Sequence, residues 1–426
     1  MNADAGAAPI GAKANPIDFD HESAEYAARW TDQYRTIRES GCPIAWSGAH
    51  GGYFVPSRYN DIVAIAQDSQ TFSSAKTFDA ATGAVSGGVL IPAIPFPTAY
   101  PIETDRPVWD AYRSFINRRF APKAAEARRD FARHHASRLL DQVIETGEID
   151  FIADLTGPLP AIVTMDLMGL PLADWRDFAE PLHEIVYTPK ESAEFPDVAA
   201  RFQQMFDRCL VELRRYRELP PEDNLLSVFA HEPFEGRPLT DDEVLGYCNN
   251  ILAGGVDTTT ALTTNVLVYL WRNPDERQRL IGDPALLPTA REEFVRFFAP
   301  QHAVARNCTR DVEVGGVLIA AGDRIYMPWG AGNRDPEVFE QPDFIDMARF
   351  PNRHIGFGAG AHRCIGSFVA RVMFEEMVKQ VLSRMPNYRI DIDRAQRYRS
   401  IGTINGWMNM PATFAPGTRL SHDTLG

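Results

Sequence analysis

One run of ten residues, Phe357 to Gly366 (FGAGAHRCIG), constrains this chain more than any other stretch. It places a single cysteine, Cys364, among three glycines, Gly358, Gly360 and Gly366. Glycines at that density let backbone N–H groups crowd around a sulfur that bulkier neighbours would shield. Downstream, Ile365, Phe368, Val369, Val372, Met373, Met377 and Val381 recur at helical spacing until Pro386 closes the run. Cys364 therefore falls at or just before a helix N-terminus, where free N–H groups and the helix dipole favour thiolate over thiol. A lone cysteine is more often a buried structural residue. That reading leaves the rest of the frame unexplained, whereas a metal-ligating thiolate accounts for it.

A second stretch breaks local rules. Thr240 followed by Glu243 reads as a capping box, and the helical pattern then runs to Asn273-Pro274, a long span for one helix. In its middle, Ala253-Gly254-Gly255-Val256-Asp257-Thr258-Thr259-Thr260 combines residues that all weaken helix propensity. Such inconsistency is often functional. Glycines let a flat cofactor approach the backbone, and a threonine that bonds back to the ladder opens a widened turn and a polar notch. A third pair, Glu293 and Arg296 in AREEFVRFF, lies at i, i+3 on one helix face, which alone indicates only an ordinary ion pair.

Together these motifs resemble the cytochrome P-450 superfamily. FGAGAHRCIG fills every fixed position of its Phe-Gly-x-Gly-x-His/Arg-x-Cys-x-Gly loop, Gly254 to Thr258 match its Gly-x-Asp/Glu-Thr motif, and Glu293 with Arg296 match its Glu-x-x-Arg, in the expected order over roughly Tyr53 to Pro411. The resemblance implies a mainly α protein with small β-sheets (α+β), one large helical domain over residues 16–426, and a long central helix above haem b. Residues 1 to about 15 read as a disordered arm. It also implies that Cys364 is the axial thiolate of haem iron, with Phe357, Gly358 and Gly366 framing it and Gly254 and Gly255 facing the ring. Asp257 and Thr258 are then the acid and alcohol that relay protons during dioxygen activation. Arg113, Arg306 and His362 match propionate contacts, and so does Trp109, although many soluble members have histidine there. Glu293 and Arg296 stiffen the scaffold. Where many relatives have a third-partner arginine, this chain has Phe344, so either Arg349 or His354 completes the network.

The segment Gly83 to Pro101 carries four prolines yet is strongly apolar. Such a loop either packs on the core or roofs a pocket; by position it resembles the family's substrate lid, with Val89, Leu90 and Ile94 facing a guest. Ala303, Val304, Thr403 and Ile404 match positions around that pocket, and His302 with Thr403 are candidates to orient a polar group. A small apolar organic substrate, such as a terpenoid, steroid or aromatic, is the expectation.

Composition narrows the rest. A net charge of −14, from 57 acidic and 43 basic residues, argues against general nucleic-acid binding. Five cysteines without a CxxC pair read as a reduced, cytoplasmic protein without a zinc site. No signal peptide or membrane anchor is expected from the N-terminal composition. With no flavin, nucleotide or iron–sulfur motif, electrons must come from a separate donor, by resemblance an iron–sulfur ferredoxin with its reductase, the oxygenase itself being a monomer. Arg118, Arg119, Lys123, Arg353, His354, His362 and Arg363 are candidates for a basic docking patch. Two rival readings stand: a peroxide-driven or non-oxygenating haem-thiolate enzyme, disfavoured by the intact Asp257-Thr258 pair, and a haem sensor, which needs no proton relay.

Overall fold

Ser23 accepts the Tyr26 N–H and starts the first helix, Ala24–Glu39, whose Tyr26, Trp30, Tyr34 and Ile37 form one buried stripe. That helix lies against a six-stranded sheet. In this computed structural model, residues 15–79, 81–188 and 192–420 are described. The N-terminal arm expected over residues 1–15 falls outside them, apart from Asn15. The sheet runs in the order Pro16–Ile17, Ile44–Ser47, Tyr53–Pro56, Arg324–Pro328, Ala303–Cys308, Phe72–Ser73. Two antiparallel pairs meet in parallel where Ile325 faces Phe54. A hairpin forms from Val312–Val314 and Val317–Ile319, with Gly315 and Gly316 at positive φ in its turn. Helices supply most of the remaining ordered structure.

The long helix expected from Thr240 to Asn273 is two helices, Asp241–Gly255 and Asp257–Arg272. The capping box forms in both directions between Thr240 and Glu243. The break falls at Val256, with φ −88° and ψ −70°. Its cause lies in the threonines. Thr258 Oγ1 donates to Gly254 O at 2.9 Å, Thr260 to Val256 O at 3.0 Å, Thr263 to Thr259 O at 2.9 Å and Thr264 to Thr260 O at 2.8 Å. Hydroxyls that bond back four residues compete with the ladder and bend it. Thr260 also reaches Thr156 O at 2.6 Å, which pins the bend to the neighbouring helical segment.

The two glycines beside the break do different work. A Cβ on Gly254 would meet no heavy atom within 4 Å, whereas one on Gly255 would stand 2.5 Å from Thr164 Oγ1. Gly255 therefore serves close helix–helix packing against Pro158–Met168, whereas Gly254 leaves open space; both glycines border the central cavity.

The proline-rich loop is fastened along the same helix. Tyr100 N–H donates to Gly246 O at 3.1 Å, Asn249 Nδ2 donates to Pro97 O at 2.8 Å, and the Phe96 ring lies 4.7 Å from that of Phe202. A Cβ at Gly246 would come within 2.2 Å of the Tyr100 ring, so the loop can lie this close only over glycine.

Three apolar clusters form the core. One gathers Phe206, Leu226 and Tyr247 among the helices, a second gathers Phe54, Ile65 and Ile325 on the sheet, and a third holds Leu262, Phe294 and Val378. All three border a central cavity, through Ile251 and Met373, Val304 and Trp329, and Leu262 and Val295 respectively. Among the described residues no helix is long and apolar enough to cross a membrane.

Candidate active site

The cavity has a volume of about 200 Å³, and Cys364 opens into it. The cysteine loop is held by backbone geometry that only glycine supplies easily. Gly358 and Gly360 sit at φ +74° and +69°, and a Cβ on Gly360 would lie 2.3 Å from Ala66 O. Gly358 N–H donates to Ile355 O at 2.8 Å, Arg363 N–H to Gly360 O at 3.2 Å, and Cys364 N–H to Phe357 O at 2.8 Å. Gly366 then caps the helix Ser367–Arg384. Burial pushes the Cys364 thiol up, while the Gly366 N–H and the guanidinium groups of Arg113, Arg363 and Arg371 pull it down. Phe357 also lines the cavity, with the Arg371 guanidinium 4.4 Å from its ring centre.

Trp109, Arg113, Arg306 and His362 all reach the same cavity. Trp109 and His362 pack ring to ring at 5.6 Å, and Arg113 lies 5.9 Å from the Trp109 ring centre. Trp109 Nε1 and His362 Nδ1 are buried without a hydrogen-bond partner among the described residues. Ser74 Oγ meets His362 Nε2 at 3.0 Å. Burial, followed by the charges of Arg306, Arg113 and Arg106, lowers the His362 pKa to about 3, so the ring is neutral. Arg306 is wholly buried, donates to Ala305 O at 2.7 Å and has its pKa lowered by burial to about 10, which leaves it cationic at neutral pH. Arg113 donates to Arg363 O at 3.0 Å. Two cations and two unpartnered ring nitrogens, gathered beside one sulfur in an apolar cavity, fit a flat group bearing two carboxylates, as a porphyrin does.

Glu293 and Arg296 are both fully buried and joined by two bonds, Nε to Oε2 at 2.7 Å and Nη2 to Oε1 at 2.8 Å. Arg296 goes on to the carbonyls of Asn333, Pro342 and Phe344. Of the two candidates for third partner, Arg349 takes the place, its Nε 3.0 Å from Glu293 Oε2. His354 instead meets Glu292 at 3.1 Å. Asn352 joins Glu293 at 3.0 Å, a contact that no sequence signal marks.

Thr258 lines the cavity beside the helix break; Asp257, 2% exposed, does not. The Asp257 carboxylate turns to the helix Trp175–Tyr187, where His183 Nδ1 meets its Oδ1 at 2.8 Å and the Tyr398 hydroxyl at 2.9 Å. Asp257 Oδ2 is buried without a partner. Although burial works to lower the His183 pKa, the charge and hydrogen bond of Asp257 raise it overall. His183 was not among the residues expected at the site, because a histidine on an amphipathic helix far along the chain carries no spacing signal.

The expected substrate wall is redistributed. Val304 borders the cavity, whereas Val89, Leu90, Ile94, Ala303, Thr403 and Ile404 stand outside the wall. The backbone explains part of this: Val89 O accepts the Ala305 N–H, Leu90 O is taken by Arg324, and Ile404 bridges to Gln301. Pro101, the last residue of the proline-rich loop, and Ile102 just past it reach the cavity instead. His302 is fully buried among Trp30, Tyr26 and Tyr34, with its pKa lowered by burial to about 3, and it does not reach the cavity. Asn250 and Gln301 do. In the expected basic patch, Arg119 pairs with Glu232 at 3.4 Å, His354 is held by Glu292 and His362 turns inward, leaving Arg118, Lys123, Arg353 and Arg363 exposed.

Comparison with known proteins agrees with this geometry. The family model for cytochrome P-450 matches residues 285–399. A steroid C26-monooxygenase of Mycobacterium tuberculosis is 30% identical, over 87% of this chain and 96% of its own length. The mycinamicin IV hydroxylase/epoxidase of Micromonospora griseorubida is 31% identical over 74% and 79%. A Bacillus megaterium protein solved in complex with testosterone superposes with a TM-score of 0.79 at 26% identity, covering 92% of this chain and 99% of that one. With a cysteine loop, a broken helix and a buried Glu-x-x-Arg pair disposed around one cavity, this chain belongs to the cytochrome P-450 family of haem monooxygenases.

Proposed function

We propose that the chain is a haem b monooxygenase that inserts one oxygen atom of dioxygen into a small, largely apolar organic substrate, with electrons from a ferredoxin and its reductase. The observation that carries this reading is the convergence of Cys364, the open Gly254–Thr258 turn, the Arg306 guanidinium and, among the described residues, the unpartnered ring nitrogens of Trp109 and His362 on one cavity. Haem held through a cysteine thiolate activates dioxygen once reduced, the thiolate favouring O–O cleavage. The chain supplies the rest. Cys364 is the ligand; Arg113, Arg306, Trp109 and His362 hold the carboxylates; Glu293 with Arg296 keeps the preceding loop rigid. Thr258 presents a hydroxyl to the cavity, and the Asp257–His183 pair behind it, with the proton on His183, is the store that resupplies its proton.

A relative named a steroid C26-monooxygenase and a neighbour solved with testosterone support a guest of terpenoid or steroid size. Exposed Arg118, Lys123, Arg353 and Arg363 support an acidic ferredoxin as donor. Five cysteines, none in a disulfide, support a reducing cytoplasmic setting for a monomeric single-domain enzyme.

The test is the absorption spectrum of the reduced protein under carbon monoxide. Wild type should show the strongly red-shifted Soret band of thiolate ligation, and Cys364→Ser should lose it. A wild-type spectrum indifferent to that substitution overturns the assignment.

A further inference from the structure

We infer that Asn250 and Gln301 form the polar recognition element of the cavity, selecting a substrate that carries a hydroxyl over the ketone or hydrocarbon of the same skeleton. The inference rests on the monooxygenase reading above and deepens it. Beyond Thr258 and the buried Thr164 and Thr259, the cavity wall is otherwise apolar where a guest would lie, with Ile102, Ile251, Leu262, Val295 and Val304. Its charged and aromatic donors are gathered around Arg306 and His362, where the carboxylates of a porphyrin would occupy them. The Thr258 hydroxyl is committed to Gly254 O at 2.9 Å.

Gln301 is different. Its Nε2 donates to Ala303 O at 3.0 Å and Thr403 O at 3.1 Å. Two carbonyls can be met only by the NH₂ end of the amide, so its orientation is fixed by chemistry and Oε1 remains as an acceptor. An acceptor requires a donor in the guest: a hydroxyl satisfies it, a ketone does not. Asn250 lies four residues before Gly254 on the same helix face, borders the cavity and makes no side-chain hydrogen bond among the described residues. Its amide can serve either lone pair or proton of that hydroxyl. A few placed polar groups in an apolar wall are what orient a ligand, and a site built to bond a hydroxyl rejects the analogue that leaves its groups unpaired.

The experiment titrates the holoenzyme by its Soret spin-state shift with matched sets: menthol, menthone and menthane, and testosterone, androstenedione and androstane. In wild type each alcohol should bind about tenfold more tightly than its ketone, the equivalent of about 1.4 kcal/mol. That advantage should fall to about twofold or less in Gln301→Leu and shrink in Asn250→Leu. Because the Asn250 side chain makes no hydrogen bond among the described residues, its variant should fold as wild type, checked by an unchanged melting temperature and carbon monoxide spectrum. Ketones that bind as tightly as alcohols, an alcohol preference that survives both substitutions, or alcohols that bind no better than menthane and androstane each overturn the inference. All three leave the carbon monoxide spectrum intact, which separates this failure from failure of the haem assignment.

Discussion

Around Glu293 the carboxylate receives Arg296 twice, Arg349, Asn352 and the Asp346 N–H, all away from water. Glu293→Gln removes the negative charge but leaves the Arg296 guanidinium buried. Removing one member of a buried pair costs about 3–5 kcal/mol, so urea denaturation should show a loss of that order, with weaker haem retention on gel filtration. The Glu-x-x-Arg pair was legible in the chain, yet its partners were not: the stretch from 341 to 352 has no periodic pattern, so only the fold decides that Arg349 and not His354 reaches the carboxylate. His183 makes a second residue-scale prediction. Its pKa is raised in the folded protein, so the ion pair with Asp257 contributes fully below the unfolded value near 6.5 and is lost as pH rises through the folded one. The stability difference between wild type and His183→Gln should therefore be larger at about pH 6 than at about pH 9. An equal difference at both would show that His183 is neutral throughout.

At the scale of elements, the two adjacent glycines that precede the helix break do different work. Gly255→Ala drives a methyl to within 2.5 Å of Thr164 Oγ1, while Gly254→Ala meets nothing. Overpacking costs about 1–3 kcal/mol, so the first variant should melt several degrees lower. The second should hold its melting temperature and instead weaken ligand-induced spin shifts, because its methyl enters open space. Differential scanning calorimetry and spectral titration distinguish them. The helix span and its weak middle were legible from composition, but the division at Val256 was not. No proline or new cap marks it, and the threonine back-bonds that produce it depend on which rotamers the packing selects. The lid shows the same limit. Its prolines and apolar residues announced a packed loop, but Pro101 and Ile102, not Val89 to Ile94, reach the cavity, since hydrogen bonds to Gly246 and Asn249 set where the loop lies.

For the whole molecule, a net charge of −14 makes any exposed basic group conspicuous to an acidic partner. Arg118 and Lys123 are exposed and close in sequence to the helix that carries Arg113. The pair Arg118→Glu with Lys123→Glu should slow electron transfer from ferredoxin severalfold at low salt and flatten its dependence on ionic strength. Stopped-flow reduction measures both, and an unchanged salt profile would remove this face as the docking site. Family and fold class were legible because three motifs in fixed order leave little freedom. The substrate wall was not, because it is assembled from pieces of chain that meet only in space. That assembly has a further result. The three apolar clusters of the core each end at the cavity, and between Met373, Trp329 and Val295 they touch through whatever occupies it. A prosthetic group held there would be packed by all three clusters at once, a keystone as much as a reagent.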